Sequence, residues 1–331
     1  MSDSDNFSLP LVISFIVFYF SAFLLSTLGN AWVLLICYKT MKRRNVSLMW
    51  LVINLATADL LFMLLSIFNA ISFLRRWVGG SIVCKLHGFL VETTYTASIA
   101  TLVVISYERL TAISDPLNAR ARNVSNKGYR KIVLVWGVCL AVCSPLLALY
   151  QLVDEKGEMV CNNTTLGDVG RQVFYSLHVF FFFVCPLSYM IISQSKIFRS
   201  LRTRRVAPTQ MEISNTRHKK VAKTLFALTT VFVLCWSPFM VMRTLKYFYL
   251  AQSNVIWTSS RLLIILNTVL DPILYGIYGG NLRTSLRRCC CLKSSQRRRP
   301  RGSVSVLSHE KETQLITTCS LMKGKTESAC N

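Results

Sequence analysis

Charge is scarce in this chain, and negative charge scarcest: 15 Asp and Glu stand against 38 Lys and Arg in 331 residues, and all charged residues together make up 16%. A soluble domain carries about a quarter charged residues, so an ordinary soluble fold is disfavoured. Histidine is nearly as rare. The four present, His87, His178, His218 and His309, are scattered and form no nucleophile–base pair or metal constellation, so an enzyme is not expected. No internal repeat marks a transporter with a midplane substrate site. The apolar segments run too long for membrane strands and lack period-two alternation, which argues against a β-barrel. A separate cleavable signal is missing too. About ten residues precede the first apolar run, so the first helix is expected to serve as its own insertion signal. A tail of that size (1–10) cannot fold into a binding domain, which directs any ligand site to the helices or their loops.

Apolar sequence is what the chain has in abundance, 52% of it. A helix needs about 20 mainly apolar residues to cross about 30 Å of hydrocarbon. Seven segments qualify: Leu11–Tyr38, Leu48–Leu74, Ile82–Ser114, Ile132–Leu149, Val173–Ser195, Val221–Tyr247 and Val255–Tyr278. The expected fold is therefore an all-α membrane protein, a seven-transmembrane helix bundle over 11–278. A short amphipathic eighth helix is expected over 279–291, and a disordered tail over 292–331. The third segment is the least uniform, since Glu92, Thr93, Thr94, Tyr95 and Thr96 interrupt it. Their hydroxyls can bond the backbone or neighbouring helices. Acids and arginines inside such segments are costly in lipid and therefore point to function; Asp59, Glu92, Glu108-Arg109 and Asp271 are the clearest.

The positive net charge of +23 would suit nucleic acid, but its distribution suits a membrane face. Most Lys and Arg cluster in alternate connections, around Lys39–Arg44, Arg120–Lys131 and Lys196–Lys223, and after Arg283. The positive-inside rule then puts these connections and the C-terminus in the cytosol and the N-terminus outside, as in a multi-pass protein of the plasma membrane. Cys84 and Cys161 fall in exterior segments, where oxidising conditions permit a disulfide. Asn6, Asn162 and Asn163 open glycosylation triplets on the same side, while Asn45 and Asn123 match that pattern in the cytosol and should stay unmodified. Cys289, Cys290 and Cys291 follow an amphipathic stretch and read as palmitoylation sites, which would make membrane lipid a partner.

One marker in each segment carries a family resemblance. Gly29-Asn30, Asn54 to Leu60 with Asp59, Glu108-Arg109-Leu110, Trp136, Pro186, Cys235-Trp236-Ser237-Pro238 and Asp271-Pro272-Ile273-Leu274-Tyr275, in this order, resemble the rhodopsin-like (class A) G-protein-coupled receptors of the peptide-receptor type. The resemblance implies a receptor that binds an extracellular ligand within the bundle and activates heterotrimeric G proteins, with arrestin and a receptor kinase as further partners of the Ser/Thr-rich tail. It implies no cofactor, but an allosteric sodium ion among Asp59, Ser98, Asn267 and Asp271, with Asn30 nearby; a hydrogen-bonded polar knot without an ion is the alternative. It also implies that Ile99, Pro186 and Phe232 form a packing triad beneath the ligand, one turn from Trp236. Pro186 and Pro238 remove helical hydrogen bonds and so provide hinges. Glu108, Arg109, Asp271, Pro272 and Tyr275 complete the implied switch.

Two positions depart from the family pattern. His218 stands where relatives often place an acid that holds the arginine of the third helix, which suggests raised basal signalling. Gln194 stands where many relatives place a tyrosine that helps Tyr275 hold the active state. Val91 replaces the acid that amine receptors use, and Ile265 the lysine that opsins use, which disfavours both ligand types.

The residues facing the expected ligand pocket are Glu92, Tyr95, His178, Phe239, Met240, Arg243, Trp257 and Arg261. Two arginines with aromatic neighbours suit an acidic group. The alternative is that Glu92 neutralises one of them internally. An acidic exterior loop with Asp154, Glu155, Glu158 and Asp168 would attract a cationic peptide. A peptide satisfies both features, whereas an acidic lipid or nucleotide would use the arginines alone. A decoy receptor of the same fold that does not signal through G proteins remains a further alternative.

Overall fold

The computed structural model describes residues 7–41, 47–74, 77–115, 128–155, 157–203, 209–251 and 253–278; the side chains of residues 40, 47, 158, 203, 209–221 and 275–278 are outside that description. All described residues belong to one compact unit, which ends at residue 287. The expected eighth helix, Cys289, Cys290, Cys291, the tail and Asn6 lie outside the described residues, as do the side chains of His218 and Tyr275.

The long helices are α1 (Leu9–Met41), α2 (Ser47–Leu74), α3 (Ser81–Ser114), α4 (Gly128–Cys143) with the one-turn α5 (Leu146–Leu149), then α6 (Gly167–Val179) continuing through a π turn (Phe180–Val184) into α7 (Cys185–Thr203), α8 (Thr209–Tyr247) and α9 (Asn254–Tyr278). α4 with α5 forms the fourth span, and α6 with α7 the fifth. α1 packs on α2 and α9, α2 on α3, α3 on α4 and α7, α7 on α8, and α8 on α9, which closes the bundle on itself. Among the described residues, six spans are long and apolar enough to cross a membrane, and α9, with 25 residues, is the seventh long helix of the bundle. Large apolar side chains such as Val17, Leu28, Leu35, Val133, Leu134 and Leu234 are exposed on the outer faces of the bundle, where a soluble protein would not leave them and lipid would cover them.

Several helices extend beyond the apolar runs read from sequence. α6 begins at Gly167 and α8 at Thr209, because a helix can continue into water after its apolar stretch has left the hydrocarbon. At 39 residues, α8 is about 58 Å long at about 1.5 Å per residue.

Prolines shape the helices as their chemistry requires. In the fourth span Pro145 lacks an N–H, and the helix breaks at Ser144, whose hydroxyl and amide both turn back to the Ala141 carbonyl. In the fifth span the π turn comes just before Pro186, whose ring cannot tolerate a regular bond to the carbonyl four residues back, that of Phe182. In α9, Pro272 deprives the Thr268 carbonyl of its helical donor. That carbonyl is taken up by α1: Asn30 Nδ2 donates to it at 3.0 Å and Ser26 Oγ at 3.4 Å. Gly29 lets the two helices approach, since a Cβ there would stand 2.9 Å from Pro272 Cγ. The Gly-Asn pair of the first span and the Pro of the seventh are thus parts of one joint.

A similar polar joint ties three helices together. Asn54 Nδ2 donates to Thr101 Oγ1 at 2.7 Å, and Trp136 Nε1 donates to Asn54 Oδ1 at 2.7 Å, linking α2, α3 and α4.

Between the fourth and fifth spans lies an antiparallel hairpin of β1 (Gln151–Glu155) and β2 (Glu158–Asn162), which the sequence reading did not anticipate. Gly157 turns the corner at φ +80°, and its N–H donates to Asp154 Oδ1 at 2.8 Å. Cys161 of β2 is bridged to Cys84 in the first turns of α3, with Cα atoms 5.6 Å apart, as expected. The hairpin therefore marks one end of the bundle; Lys39, Arg109, Lys131 and Arg202 mark the other.

Candidate ligand site and its connection to the opposite end

At the hairpin end the bundle holds a buried ion pair. Arg243 of α8 donates through Nη1 to Glu92 Oε1 of α3 at 2.7 Å, and to the Tyr95 hydroxyl at 2.9 Å. Tyr95 in turn makes a close hydrogen bond to the same Glu92 oxygen. Arg243 is only 2% exposed. Its guanidinium lies over Tyr175 at 4.7 Å and Phe239 at 5.1 Å from the ring centroids, where cation–π attraction adds to the ion pair, and Nη2 meets Met240 Sδ at 3.2 Å. The alternative weighed from sequence is thus the arrangement found: Glu92 neutralises one of the two arginines. Arg243 is committed to protein partners and is not a ready donor for an acidic ligand group.

His178 stands beside this pair. It is sandwiched between Phe174 and Phe182, with centroids 5.9 and 5.1 Å away. The Thr96 hydroxyl donates to the Glu92 carbonyl at 2.6 Å, which leaves His178 Nε2 as the donor in its 3.1 Å contact with Thr96. Nδ1 then faces Glu92 at 3.6 Å without a hydrogen bond.

From the ion pair a file of rings runs inward. Lys246 Nζ sits 4.8 Å over Trp257, Trp257 stacks on Phe239 at 5.5 Å, Phe239 meets Trp236 edge-on at 6.4 Å, Trp236 meets Phe232 at 6.1 Å, and Phe232 meets Phe183 at 5.6 Å. Tyr95 joins the file at Trp236, 4.8 Å away. Ile99 belongs to the same core as Phe232; Pro186 is half-buried on the fifth span. Of the residues expected in the ligand pocket, Glu92, Tyr95, His178, Phe239, Met240, Arg243 and Trp257 are brought into this one assembly. Arg261 is elsewhere on α9, close enough to His87 and Tyr19 to act on them electrostatically.

A second group, not visible in the sequence, lies near it. Phe68, Trp77 and His87 form a three-ring cluster with centroid separations of 5.5 to 6.1 Å, and His87 Nε2 donates to the Leu65 carbonyl at 3.1 Å. His87 had been counted as one of four unconnected histidines; its aromatic neighbours on α2 and the following loop could be assembled only in three dimensions. The link of Asn163 to Tyr175 and Tyr247 likewise forms only when distant helices meet.

Deeper in the bundle lies the acid pair. Asp59 and Asp271 are each 1% exposed and near enough to interact. Ser98 Oγ donates to Asp59 Oδ1 at 3.0 Å, and Asn267 Nδ2 to Asp271 Oδ2 at 3.2 Å. Asp59 Oδ2 and Asn267 Oδ1 are buried acceptors that receive no donor among the described residues. Asn30, expected nearby, is turned instead to Ser26 and Thr268.

At the end opposite the hairpin, Glu108 forms a close ion pair with Lys131 of α4. Arg109 sits half-buried at the inner end of α3. Gln194 of α7 bonds across to α8: its Nε2 donates to the Leu225 carbonyl at 3.2 Å and, closely, to Thr229 Oγ1. A groove of about 300 Å³ lies here between the fifth and sixth spans, lined by Gln194, Phe198, Phe226, Thr229 and Leu234 among others.

The comparisons agree with this architecture. The model of the 7 transmembrane receptor (rhodopsin family) matches residues 29–275. Galanin receptor 2a of Danio rerio is 30% identical over 274 residues, covering 80% of this chain and 75% of that protein. Galanin receptor type 2 of Rattus norvegicus is 28% identical over 300 residues (88% and 80%). Neuropeptide Y receptor type 1 of Xenopus laevis is 25% identical over 309 residues (87% and 83%).

Proposed function

The chain belongs to the rhodopsin family of seven-transmembrane receptors, and from that premise we propose that it is a plasma-membrane receptor whose hairpin end faces outward and binds a peptide. It is a multi-pass G-protein-coupled receptor and not an enzyme. The observation that carries the peptide reading is the likeness to galanin and neuropeptide Y receptors over most of the chain. The site supports it: Arg243 is neutralised by Glu92, which leaves a largely aromatic floor rather than a cationic one and disfavours an acidic lipid or a nucleotide. The outward orientation is supported by the disulfide, which needs an oxidising compartment, and by the basic connections at the other end. On this reading a bound peptide presses on Trp257 and Phe239, and the ring file passes the displacement to Trp236 and Phe232 beside the Pro238 hinge. The inner half of α8 then swings away from α7 to admit a G protein near Arg109. Arrestin and a receptor kinase would read the Ser/Thr-rich tail, and lipid would anchor acylated Cys289, Cys290 and Cys291.

The deciding measurement is guanine-nucleotide exchange in membranes containing the full chain, with a panel of G proteins and peptides that includes galanin and neuropeptide Y. Exchange promoted by a peptide is the expected result. A peptide that binds without ever promoting exchange would establish the decoy reading.

The acid pair suits an allosteric sodium ion. Two carboxylates and the unfilled acceptors Asp59 Oδ2 and Asn267 Oδ1 are oxygen donors of the kind that hard cations prefer. Sodium held by Asp59, Ser98, Asn267 and Asp271 would tie α2, α3 and α9 together in the off state. Binding of an activating peptide should therefore weaken when sodium replaces a bulky organic cation at equal ionic strength; identical affinities in the two salts would remove the ion from the scheme.

A further inference from the structure

The exterior loop contains two overlapping glycosylation triplets, Asn162-Asn163-Thr164 and Asn163-Thr164-Thr165, and sequence alone makes them equivalent. The structure does not. Asn163 is 6% exposed, and its Nδ2 donates to the Tyr175 hydroxyl at 3.0 Å and to the Tyr247 hydroxyl at 2.9 Å. A carboxamide nitrogen has two protons, and both are in use. The two acceptors belong to different helices, Tyr175 to α6 and Tyr247 to the end of α8, with their rings 4.8 Å apart. Tyr247 is further fixed by Gln172, which donates to its carbonyl at 2.8 Å, and by Arg171 over its ring at 4.8 Å. Asn162 is placed differently. It ends β2 half-buried, not buried like Asn163, its Nδ2 making one long contact of 3.5 Å to Glu155 Oε1, while its Oδ1 accepts from the Asn163 N–H at 2.8 Å.

We infer that the two acceptors have divided tasks: Asn162 carries the loop glycan, and Asn163 is an unmodified strut that fastens the hairpin loop to the outer ends of the fifth and sixth spans. In glycan transfer, Nδ2 attacks the anomeric carbon of a lipid-diphosphate-linked oligosaccharide. An N–C bond forms, the C–O bond to the diphosphate breaks, one amide proton is lost and the diphosphate leaves. At Asn162 the remaining proton still serves Glu155 and the sugar projects into solvent. At Asn163 one of the two tyrosine bonds must go, and an oligosaccharide must occupy a site with no room for it. A chain glycosylated at Asn163 therefore cannot close the loop onto the helices.

The inference rests on the outward orientation proposed above, and the experiment separates the two. The full chain with an N-terminal epitope is expressed in cells, the epitope is labelled on intact cells, and the surface receptor is collected. Enzymatic deglycosylation in heavy-oxygen water then leaves heavy Asp wherever an asparagine carried sugar. Label at position 162 and none at 163 is expected. The Asn162→Gln variant should lose one glycan-sized mass step while keeping its surface level. The Asn163→Gln variant should keep that step, because the triplet from Asn162 to Thr164 survives, yet should melt a few °C lower for want of the two tyrosine bonds. Heavy Asp at 163 in surface receptor, or none at 162 while the epitope is reachable on intact cells, overturns the division of tasks. An epitope reached only after permeabilisation overturns the orientation itself.

Discussion

The fifth and sixth spans are joined in two different ways at their two ends. At the hairpin end, Asn163 bridges Tyr175 and Tyr247, Gln172 caps the last turn of α8, Arg171 covers Tyr247, and Arg243 is held between Tyr175 and Glu92. Among the described residues at the opposite end, the same two spans meet through Gln194 to Leu225 and Thr229, an edge contact of Phe198 with Phe226, and apolar packing of Ile197 and Leu201 against Ala222 and Leu225, beside an open groove. Pro238 lies between the two regions. Among the described residues the hairpin-end joint is dense in ion pairs and hydrogen bonds, and the other is sparse in them and mainly apolar. A hinge between the two moves on the side with fewer directional bonds. The asymmetry therefore fixes which half of α8 can respond to a ligand, and it can be tested by loosening each joint in turn.

The dense joint should break most expensively at its ion pair. Arg243→Ala strands the buried Glu92 carboxylate, a class of change that costs about 3–5 kcal/mol, and surface expression and melting temperature should both fall sharply. Changing both partners together, Glu92→Gln with Arg243→Met, removes the stranded charge and should recover most of the stability. Failure of the double variant to recover would mean that the pair does more than neutralise itself, for instance by contacting the peptide directly.

The first-and-seventh-span joint offers the next largest effect. Asn30→Ala removes the main donor to the carbonyl that Pro272 leaves open, and an unsatisfied buried carbonyl costs about 1–3 kcal/mol. Asn30→Asp would remove the donor and add a buried charge, so it should melt lower than the alanine variant. The reverse order would show that the Thr268 carbonyl finds another partner.

Loosening the sparse joint should change signalling more than stability. Gln194→Leu removes the bonds to Leu225 and Thr229 but keeps a side chain of similar size against the groove. With the seam unlatched, nucleotide exchange without ligand should rise several-fold, and melting temperature should drop by less than for either variant above. Unchanged basal exchange would assign the hold on α8 to other contacts.

These joints also show how much of the molecule its sequence displays. The spans were legible because apolar runs of membrane length have few other uses, and the third and seventh survived their polar interruptions because those side chains satisfy each other across helices. The hairpin was not read, although Gly157, a residue type that tolerates the positive φ of a tight hairpin turn, stands between the two short strands. The extensions of α6 and α8 were missed because hydropathy ends with the hydrocarbon and helices do not. The Glu92–Arg243 pair was legible only as one of two alternatives, since the partners are 151 residues apart and nothing local selects Arg243 over Arg261. Asn163 was the least legible. Its triplet is a true acceptor pattern, and only the two tyrosines, brought from different helices, reveal that its protons are spent.

The smallest expected effect lies at the rim of the dense joint, where Tyr249 follows α8. Its φ of +59° is left-handed, and the Leu250 N–H bonds the Leu245 carbonyl at 2.8 Å while the Tyr249 N–H bonds the Lys246 carbonyl at 3.1 Å, a helix-ending motif that usually employs glycine. The neighbouring Asp168 carboxylate raises the pKa of the Tyr249 hydroxyl, which accepts from Arg171 Nη2 at 3.3 Å. A raised folded pKa means that the contribution of the protonated hydroxyl is full below the ordinary tyrosine value of about 10 and fades as pH climbs through the higher folded value. The melting difference between the native chain and Tyr249→Phe should therefore be slight and constant from neutral pH to about 9, then shrink above about 10. A difference that shrinks instead on acidification would place the dependence on Asp168 and make the Arg171 ion pair, not the tyrosine, the fastening at this rim.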